Sequence, residues 1–447
     1  MPRGEFAPSS ASTGIGGHRG GSTMMEGYRM DEDRDWYVGV DWGSAAHHVR
    51  LMDSAGTTFA ERVVPHDGEA LAALADWLLS ATRAAPARIH VAIEVPHGPV
   101  VESLLERGFR VYAINPKQLD RFRDRFSPAG AKDDSRDAEV LGDSLRTDRR
   151  CFRELAPLDP VVVELREWSR IGEELTRERV RLANRVREQL WRYYPQMLEL
   201  GDDFAAPWLL ALWRIAPTPS KAARLRATTL ERWLKRHHIR RFDAAQVLAC
   251  LRRPAITVAP GTTEAATAHL ALLAKQLDLV NRQIAEANAR LDRLTERLAA
   301  PDGDGAGPSA EQRDVTILRS SPGVGRIVLA TLLAEASDPL QRRDYHALRC
   351  LAGAAPVTKR SGKSTIVLMR RAVNVRLRNA LYHWARIAVQ RDPRSKLKYA
   401  ALRAKGHTHA RALRSVADRL LAMACAMLKS RTLFDPHRAC HPAAKAA

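Results

Sequence analysis

Cysteine is scarce: five residues in 447, at positions 151, 250, 350, 425 and 440, odd in number and without a CxxC pair. That spacing supports neither a zinc ribbon nor a disulfide framework and suits a reducing cytosol. Aromatic residues make up 6% of the chain against 45% hydrophobic residues overall. Cores should therefore rest on Leu, Ala and Val and be largely helical. No apolar run is long enough to cross a bilayer. The opening "MPRGEFAPSSASTGIGGHRGGSTMMEG" lacks the apolar core of a signal peptide. Residues 1–33 read as a disordered leader, or in part as an over-called start codon. Acidic charge is in deficit, with 51 Asp and Glu against 71 Lys and Arg and a formal charge of +20. That excess points to a polyanionic partner, most often nucleic acid, although an Arg-rich composition also follows from GC-rich coding. The segment "GKST" lacks the first glycine of a phosphate-binding loop, Val357 standing where it is required. ATP binding there is excluded.

What is present divides the chain into about three domains. Between residues 35 and 65, three β-type runs (Trp36–Val40, His48–Met52, Thr57–Val64) are separated by small or polar turns, "DSAG" being a hairpin signal. A helix, a fourth strand ("RIHVAIEV"), a second helix and a fifth strand ("FRVYAINP") follow. Residues 34–150 thus read as an α/β layer domain. Residues 151–312 turn helical. Apolar positions recur at coiled-coil-like spacing over Val161–Tyr194 and again over Glu264–Ala299. These two helices are expected to pair as an antiparallel hairpin or to form an oligomer interface. Residues 196–262 form a small helical insert between them, and "PDGDGAGPSAEQ" (301–312) is a linker. A basic, helical C-terminal domain spans 313–432, with a tail at 433–447. From Lys359 to Arg414 there are sixteen Lys and Arg and one acid, Asp392, the strongest phosphate-backbone footprint in the chain. The basic helix "NPKQLDRFRDRF", with Lys117, Arg121 and Arg123, is a second candidate contact.

Against this basic background, "AGAKDDSRDAEVLGDSLR" collects five acids. Asp134 and Asp137, three apart at a helix start, project from one face. Asp41 and Glu94 each end an apolar run, where an unpartnered carboxylate is costly. If the fourth strand lies beside the first, Asp41 and Glu94 become neighbours, and a helix packed on the sheet brings Asp134 and Asp137 to them. Four oxygen ligands suit Mg²⁺, and a pair of such ions can clamp both oxygens of a phosphoryl transfer. Taken singly, these acids have plainer readings: strand-end ion pairs for Asp41 and Glu94, a helix N-cap for Asp134. Asp133 and Asp143 read as surface acids. Together the four favour a metal site.

A strand-end Asp, a strand-end Glu and "KDDSRDA" resemble the DEDD-type transposases of the insertion-sequence 110 family, which includes pilin-gene DNA invertases. The resemblance covers residues 35–140 and 317–388. Asp133 and Ser135 depart from the family's Lys-Thr-Asp-Arg-x-Asp-Ala signature, leaving Asp133 as a rival to Asp134. The resemblance implies an RNase H-like (RuvC-like) fold for residues 34–150 and assigns catalysis and metal binding to Asp41, Glu94, Asp134 and Asp137. It also places a nucleophilic serine at Ser361 in "LAGAAPVTKRSGKST", flanked by Lys359, Arg360 and Lys363, with Arg370 and Arg371 beyond. Those cations can stabilise a pentacoordinate phosphate. No His lies nearby as base, and Ser364 is a rival nucleophile. "SSPGVGR", with Gly323 and Gly325, looks like a helix-hairpin-helix turn whose backbone N–H groups meet a phosphate.

The implied protein is a bacterial, cytoplasmic, nucleoid-associated transposase. It acts on the element ends and target DNA, with a probable guide RNA and as a homo-oligomer. A metal-dependent junction nuclease without a covalent step is the alternative enzyme, and an architectural nucleic-acid-binding protein the non-enzymatic one.

Overall fold

The computed structural model describes residues 34–126, 133–157, 159–300, 310–362 and 364–437, with side chains of 310–313 left aside. The chain forms two compact units, divided after Pro157.

The first unit is built around two central strands, Trp36–Asp41 and Ile89–Ile93, that are buried on both faces. β1 (Trp36–Asp41) pairs antiparallel with β2 (Ala46–Met52), which pairs with β3 (Thr58–Pro65). Asp67 caps α1 (Gly68–Thr82). β4 (Ile89–Ile93), α2 (Pro99–Glu106) and β5 (Arg110–Ala113) continue the unit. α3 (Pro116–Phe126), α4 (Asp134–Asp148) and the two-residue β6 (Arg153–Glu154) complete it. The sheet order is β3-β2-β1-β4-β5-β6. β4 lies parallel to β1, as anticipated, and β5 parallel to β4. The sequence showed five of these strands; β6 is too short to leave a pattern.

Alternation along β1 sorts its two faces. Trp36, Val38 and Val40 join a core with Leu71, Leu74 and Leu78 of α1 and Val100, Val101 and Leu104 of α2. Tyr37 joins the opposite core with Leu119 of α3 and Val140, Leu141 and Leu145 of α4. On that second face β1 carries Gly39. A Cβ there would lie 1.7 Å from the Ala138 carbonyl oxygen, so only glycine permits α4 to pack this close. Gly142 answers it from the helix, where a Cβ would lie 3.1 Å from the Gly39 nitrogen.

The second unit is almost wholly helical. α5 (Pro160–Tyr193) runs to the small helices α6 (Pro207–Ile215), α7 (Pro219–Ala223), α8 (Ala227–Arg236) and α9 (Ala244–Leu251), and α10 (Thr262–Ala299) returns. Glu164 meets Arg290, Arg179 meets Asn281 and Arg185 meets His269, so α5 and α10 run antiparallel. One end of this pair shares a core with α6–α9. The other end shares a core with α11 (Ala310–Ser320), α12 (Arg326–Glu335), α13 (Ser337–Gln341) and α14 (Tyr345–Leu351). After α14 the chain forms a two-stranded hairpin, β7 (Val357–Ser361) and β8 (Ser364–Leu368), then α15 (Val375–Arg391), α16 (Pro393–Ala404) and α17 (His409–Ser430).

Three expectations are adjusted. The serine segment forms strands inside a domain read as helical. Residues 310–312, read as linker, begin α11, while 301–309 lie outside the described residues. Part of the C-terminal tail is docked: Phe434 packs on the α11–α17 core and its N–H donates to Ser320 Oγ at 2.8 Å. The leader at 1–33 lies outside the described residues.

Candidate active site: an acidic cluster and an exposed serine hairpin

Asp41 ends β1 on the face that carries Gly39, and so points where α4 packs. Val40 pairs with Ile93, which places Glu94, the next residue along, beside Asp41. Asp133 is the N-cap of α4, its side chain accepting from the Ser135 N–H at 3.4 Å. Asp133 thus caps the helix, and Asp134 is its first residue. Asp137 is one turn further in and buried, 2% exposed. Its position is tied to the Gly39–Ala138 contact by adjacency.

Asp41 lies in the field of the other three acids. The Asp41 carboxyl is pushed up to about 6 by burial first, then by the charges of Asp137, Asp134 and Glu94, with Arg123 acting against them. Like charges gathered in a partly dehydrated site raise a carboxyl in this way.

Arg123 supplies the nearest positive charge. Its Nε and second guanidinium nitrogen donate to the two Asp137 oxygens at 2.6 and 2.7 Å, and a third nitrogen donates to Asp120 at 2.5 Å. Such a bidentate pair fixes the planar guanidinium against the carboxylate. Arg123, expected to face nucleic acid, is therefore turned inward. Lys117 and Arg121 of the same helix are exposed.

An all-oxygen donor set from β1, β4 and α4 suits a hard divalent cation. The arrangement is not a closed cage: among the described residues, no three His, Cys, Asp or Glu side chains stand close enough to hold a metal ion. Asp134 is 64% exposed and Asp137 is engaged by Arg123. The donor chemistry fits, provided Arg123 yields and Asp134 turns inward.

His48 was missed by the sequence reading. It sits opposite Asp41 across β1 and β2, and its Nε2 lies 3.9 Å from Asp134. Its Nδ1 is buried without a hydrogen-bond partner. The hairpin register carries a signal for its place opposite Asp41, though none for its approach to Asp134. Nearby, Arg50 of β2 holds Glu139 of α4 at 2.5 Å and Ser135 at 3.0 Å, tying the helix start to the sheet. Ser135, one of the departures from the family signature, thus serves as an anchor.

The second unit presents Ser361 differently. It is the last residue of β7, paired with Ser364, and Gly362 takes the left-handed φ of +53° that the tight turn needs. Lys359, Arg360, Ser361 and Ser364 are exposed, Arg370 is half-buried and Arg371 exposed. Lys363 lies outside the described residues. The Ser361 side chain has no hydrogen-bond partner among the described residues. The Gly323 turn between α11 and α12 faces inward: a Cβ at Gly323 would lie 2.9 Å from the Ala388 nitrogen, and Trp384 Nε1 donates to the Pro322 carbonyl at 2.9 Å. Gly325, the N-cap of α12, has open space around it.

Comparison with known proteins bears on both units. Residues 38–195 match the family model of DEDD-type IS110 transposases, and residues 315–400 match the model described as transposase, IS116/IS110/IS902 family. The "Putative transposase y4uE" of Sinorhizobium fredii is 63% identical over 223 residues, spanning 49% of this chain and 62% of that protein, less than two thirds of its length. The "Mini-circle putative transposase for IS117" of Streptomyces coelicolor is 32% identical over 421 residues, covering 92% of this chain and 98% of that protein. An uncharacterized 44.8 kDa protein of insertion element IS116 from Streptomyces clavuligerus is 30% identical over 414 residues, covering 90% and 97%.

Proposed function

Because the chain belongs to the IS110 family of insertion-sequence transposases, we propose that it cuts and rejoins DNA with an acidic metal site and a serine nucleophile. The observation that carries this reading is the raised Asp41 carboxyl, pushed up by burial first and then by the charges of Asp137, Asp134 and Glu94, in a chain of net charge +20. Such a cluster works against binding a polyanion unless it holds a cation. Asp41, Glu94, Asp134 and Asp137 would hold it, Mg²⁺ being the hard cation that suits them, and it would supply charge neutralisation at a phosphodiester. The sheet order and the α4 packing support an RNase H-like reading of residues 34–150.

Ser361 Oγ forms a bond to the scissile phosphorus while the bond from phosphorus to one DNA oxygen breaks. The serine proton leaves and the departing DNA oxygen gains one. A hydroxyl of the exchanged strand then attacks the phosphoserine, the serine oxygen leaves with a proton, and the backbone is restored. The bond count is unchanged, so no nucleotide cofactor is required. Lys359 and Arg360 offset charge on the pentacoordinate phosphorus. Lys117 and Arg121, exposed on α3, contact nucleic-acid backbone, as do Arg370 and Arg371 beyond β8. Gly325 leaves the start of α12 open to a phosphate, as a helix-hairpin-helix element would; the inward-facing Gly323 shapes that turn. Guidance by an RNA, assembly as a homo-oligomer and association with the nucleoid complete the proposal. Among the described residues no helix is long and apolar enough to cross a membrane.

The test is a covalent-adduct assay with the DNA flanking the gene and a divalent cation. A denaturation-resistant protein–DNA complex is expected from wild type and is expected to vanish in Ser361→Ala and in Asp134→Ala. The absence of any acid–base partner for Ser361 among the described residues favours a second reading, a hydrolytic junction nuclease. Cleavage without an adduct, persisting in Ser361→Ala, would select it.

A further inference from the structure

A cavity of about 390 Å³ opens at the root of the β7–β8 hairpin, between the hairpin and the first turns of α17. That volume lies in the range of small-ligand sites, about 300–1,000 Å³. We propose that it is a mononucleotide pocket. It takes one unstacked nucleotide of a bound strand, with the phosphate on Arg411 and Arg414 and the base against Val367, Leu368 and Met369. This rests on the reading that the protein works on nucleic acid.

The walls divide by chemistry. Arg349 is already neutralised: its guanidinium donates to both oxygens of Asp418 at 3.0 and 2.6 Å, and the Tyr345 hydroxyl donates to the same carboxylate at 2.9 Å. Asp418 is the one acid lining the cavity, so it has little to offer the other cations. Arg411 makes no side-chain ion pair among the described residues. Among the described residues, the Arg414 side chain reaches only Met369 Sδ, at 2.8 Å, a weak acceptor. The two arginines are three apart on α17 and share a face. They sit in the first turns of a 22-residue helix, whose N-terminal dipole adds to their field. His407 also lines the cavity, with a buried Nδ1 that has no partner. Across from these groups Val367 is 62% exposed, Leu368 43% and Met369 47%.

A free anion would engage the arginines and leave the apolar wall wet. An apolar ligand would cover that wall and leave two arginines unpaired. A nucleotide satisfies both, because its phosphate is anionic and its base has an apolar face. The pocket is also placed usefully. Leu368 pairs with Val357 at the root, and Ser364 pairs with Ser361 at the turn. Four strand residues at roughly 3.3 Å each separate them by about 13 Å, roughly four steps of a B-form strand at about 3.4 Å. A nucleotide anchored here sets which phosphodiester reaches Ser361.

The full chain is titrated with single-stranded DNA and with RNA of the same sequence, 2-aminopurine being moved through each position. Anisotropy is read across salt concentrations. For the strand that uses the pocket, one position should brighten as its base unstacks. Arg411→Gln and Arg414→Gln should each weaken binding about threefold and lower the salt-dependence slope by about 0.7. Ser415→Trp, which fills the cavity from α17, should abolish the brightening and weaken binding with the slope unchanged. Leu368→Asp, at an exposed position, should do the same if Ser415→Trp fails to fold. A response confined to DNA or to RNA identifies the strand. Loss in the arginine variants with both strands indifferent to Ser415→Trp and Leu368→Asp would leave an ordinary basic surface and overturn the pocket. Unchanged binding in every variant would overturn it as well. Failure of wild type to bind either strand would instead overturn the nucleic-acid reading, and the pocket with it.

Discussion

Asp41 and Ser361 both end strands, yet their surroundings are opposite. Asp41 closes a strand buried on both faces, against a helix admitted to contact by Gly39. Ser361 closes a strand whose last four residues are exposed, beside a second strand exposed throughout. Packing therefore holds the acids close enough to repel one another before any ligand arrives. The serine hairpin has almost no side-chain packing of its own, and its position is free to be set by whatever lies on it. One region gathers carboxylates at a packed strand end; the other presents an exposed hydroxyl among exposed cations.

The comparison breaks most readily at Gly39. Gly39→Ala should be the most damaging change, because the new methyl meets backbone rather than a movable side chain. A loss of about 3 kcal/mol or more in a denaturant melt is expected. Arg123→Ala, without divalent cation, leaves the buried Asp137 carboxylate uncompensated. It should cost about 3 kcal/mol, the lower end for a broken buried pair because Arg123 is itself partly exposed. Added divalent cation should restore much of that in the variant and less in wild type. A variant indifferent to cation would show that Asp137 is not part of a metal site.

Asp41→Asn comes next. The folded carboxyl is raised from 3.8 to about 6, so the folded state holds this proton more tightly than the unfolded one. Its contribution favours folding at low pH and is lost as pH rises from about 4 through about 6. Without divalent cation, Asp41→Asn should therefore melt higher than wild type at pH 7. The gain should disappear below about pH 4, near the ordinary carboxyl value. Equal melting at both pH values would remove the claim of stored repulsion. Gly362→Ala should cost only about 1 kcal/mol, the penalty of a left-handed turn with open space around it. Ser361→Ala should change stability by less than about 0.5 kcal/mol while abolishing the covalent adduct. A large stability loss there would mean the hairpin is better packed than its exposure indicates.

Much of the architecture was legible. Strands β1 to β5 announced themselves as short apolar runs, and the periodic stretches read as Val161–Tyr194 and Glu264–Ala299 fold as Pro160–Tyr193 and Thr262–Ala299. Burial leaves a period in sequence, and β1, β4, β5 and the inner faces of the two long helices are buried. The β7–β8 hairpin left no such trace because its residues face water, so no alternation was imposed on "TKRSGKSTIV". The four carboxylates could be singled out by their positions at strand ends and a helix start. Arg123 could not be assigned to Asp137, fourteen residues away, and His48 could not be placed beside Asp134, because those meetings depend on how α3, α4 and β2 converge.

The residues alone thus determined where most buried strands and helices form and where the acids and the basic segments lie along the chain, and their charge pointed towards a polyanionic partner. They could do so because periodicity, capping and charge are local properties. Tertiary structure alone decided that α4 lies on Gly39, that Arg123 rather than solvent answers Asp137, and that Arg411 and Arg414 border a cavity walled by apolar strand residues. Each of these depends on the distance between elements far apart in sequence, which close packing sets and no local pattern records.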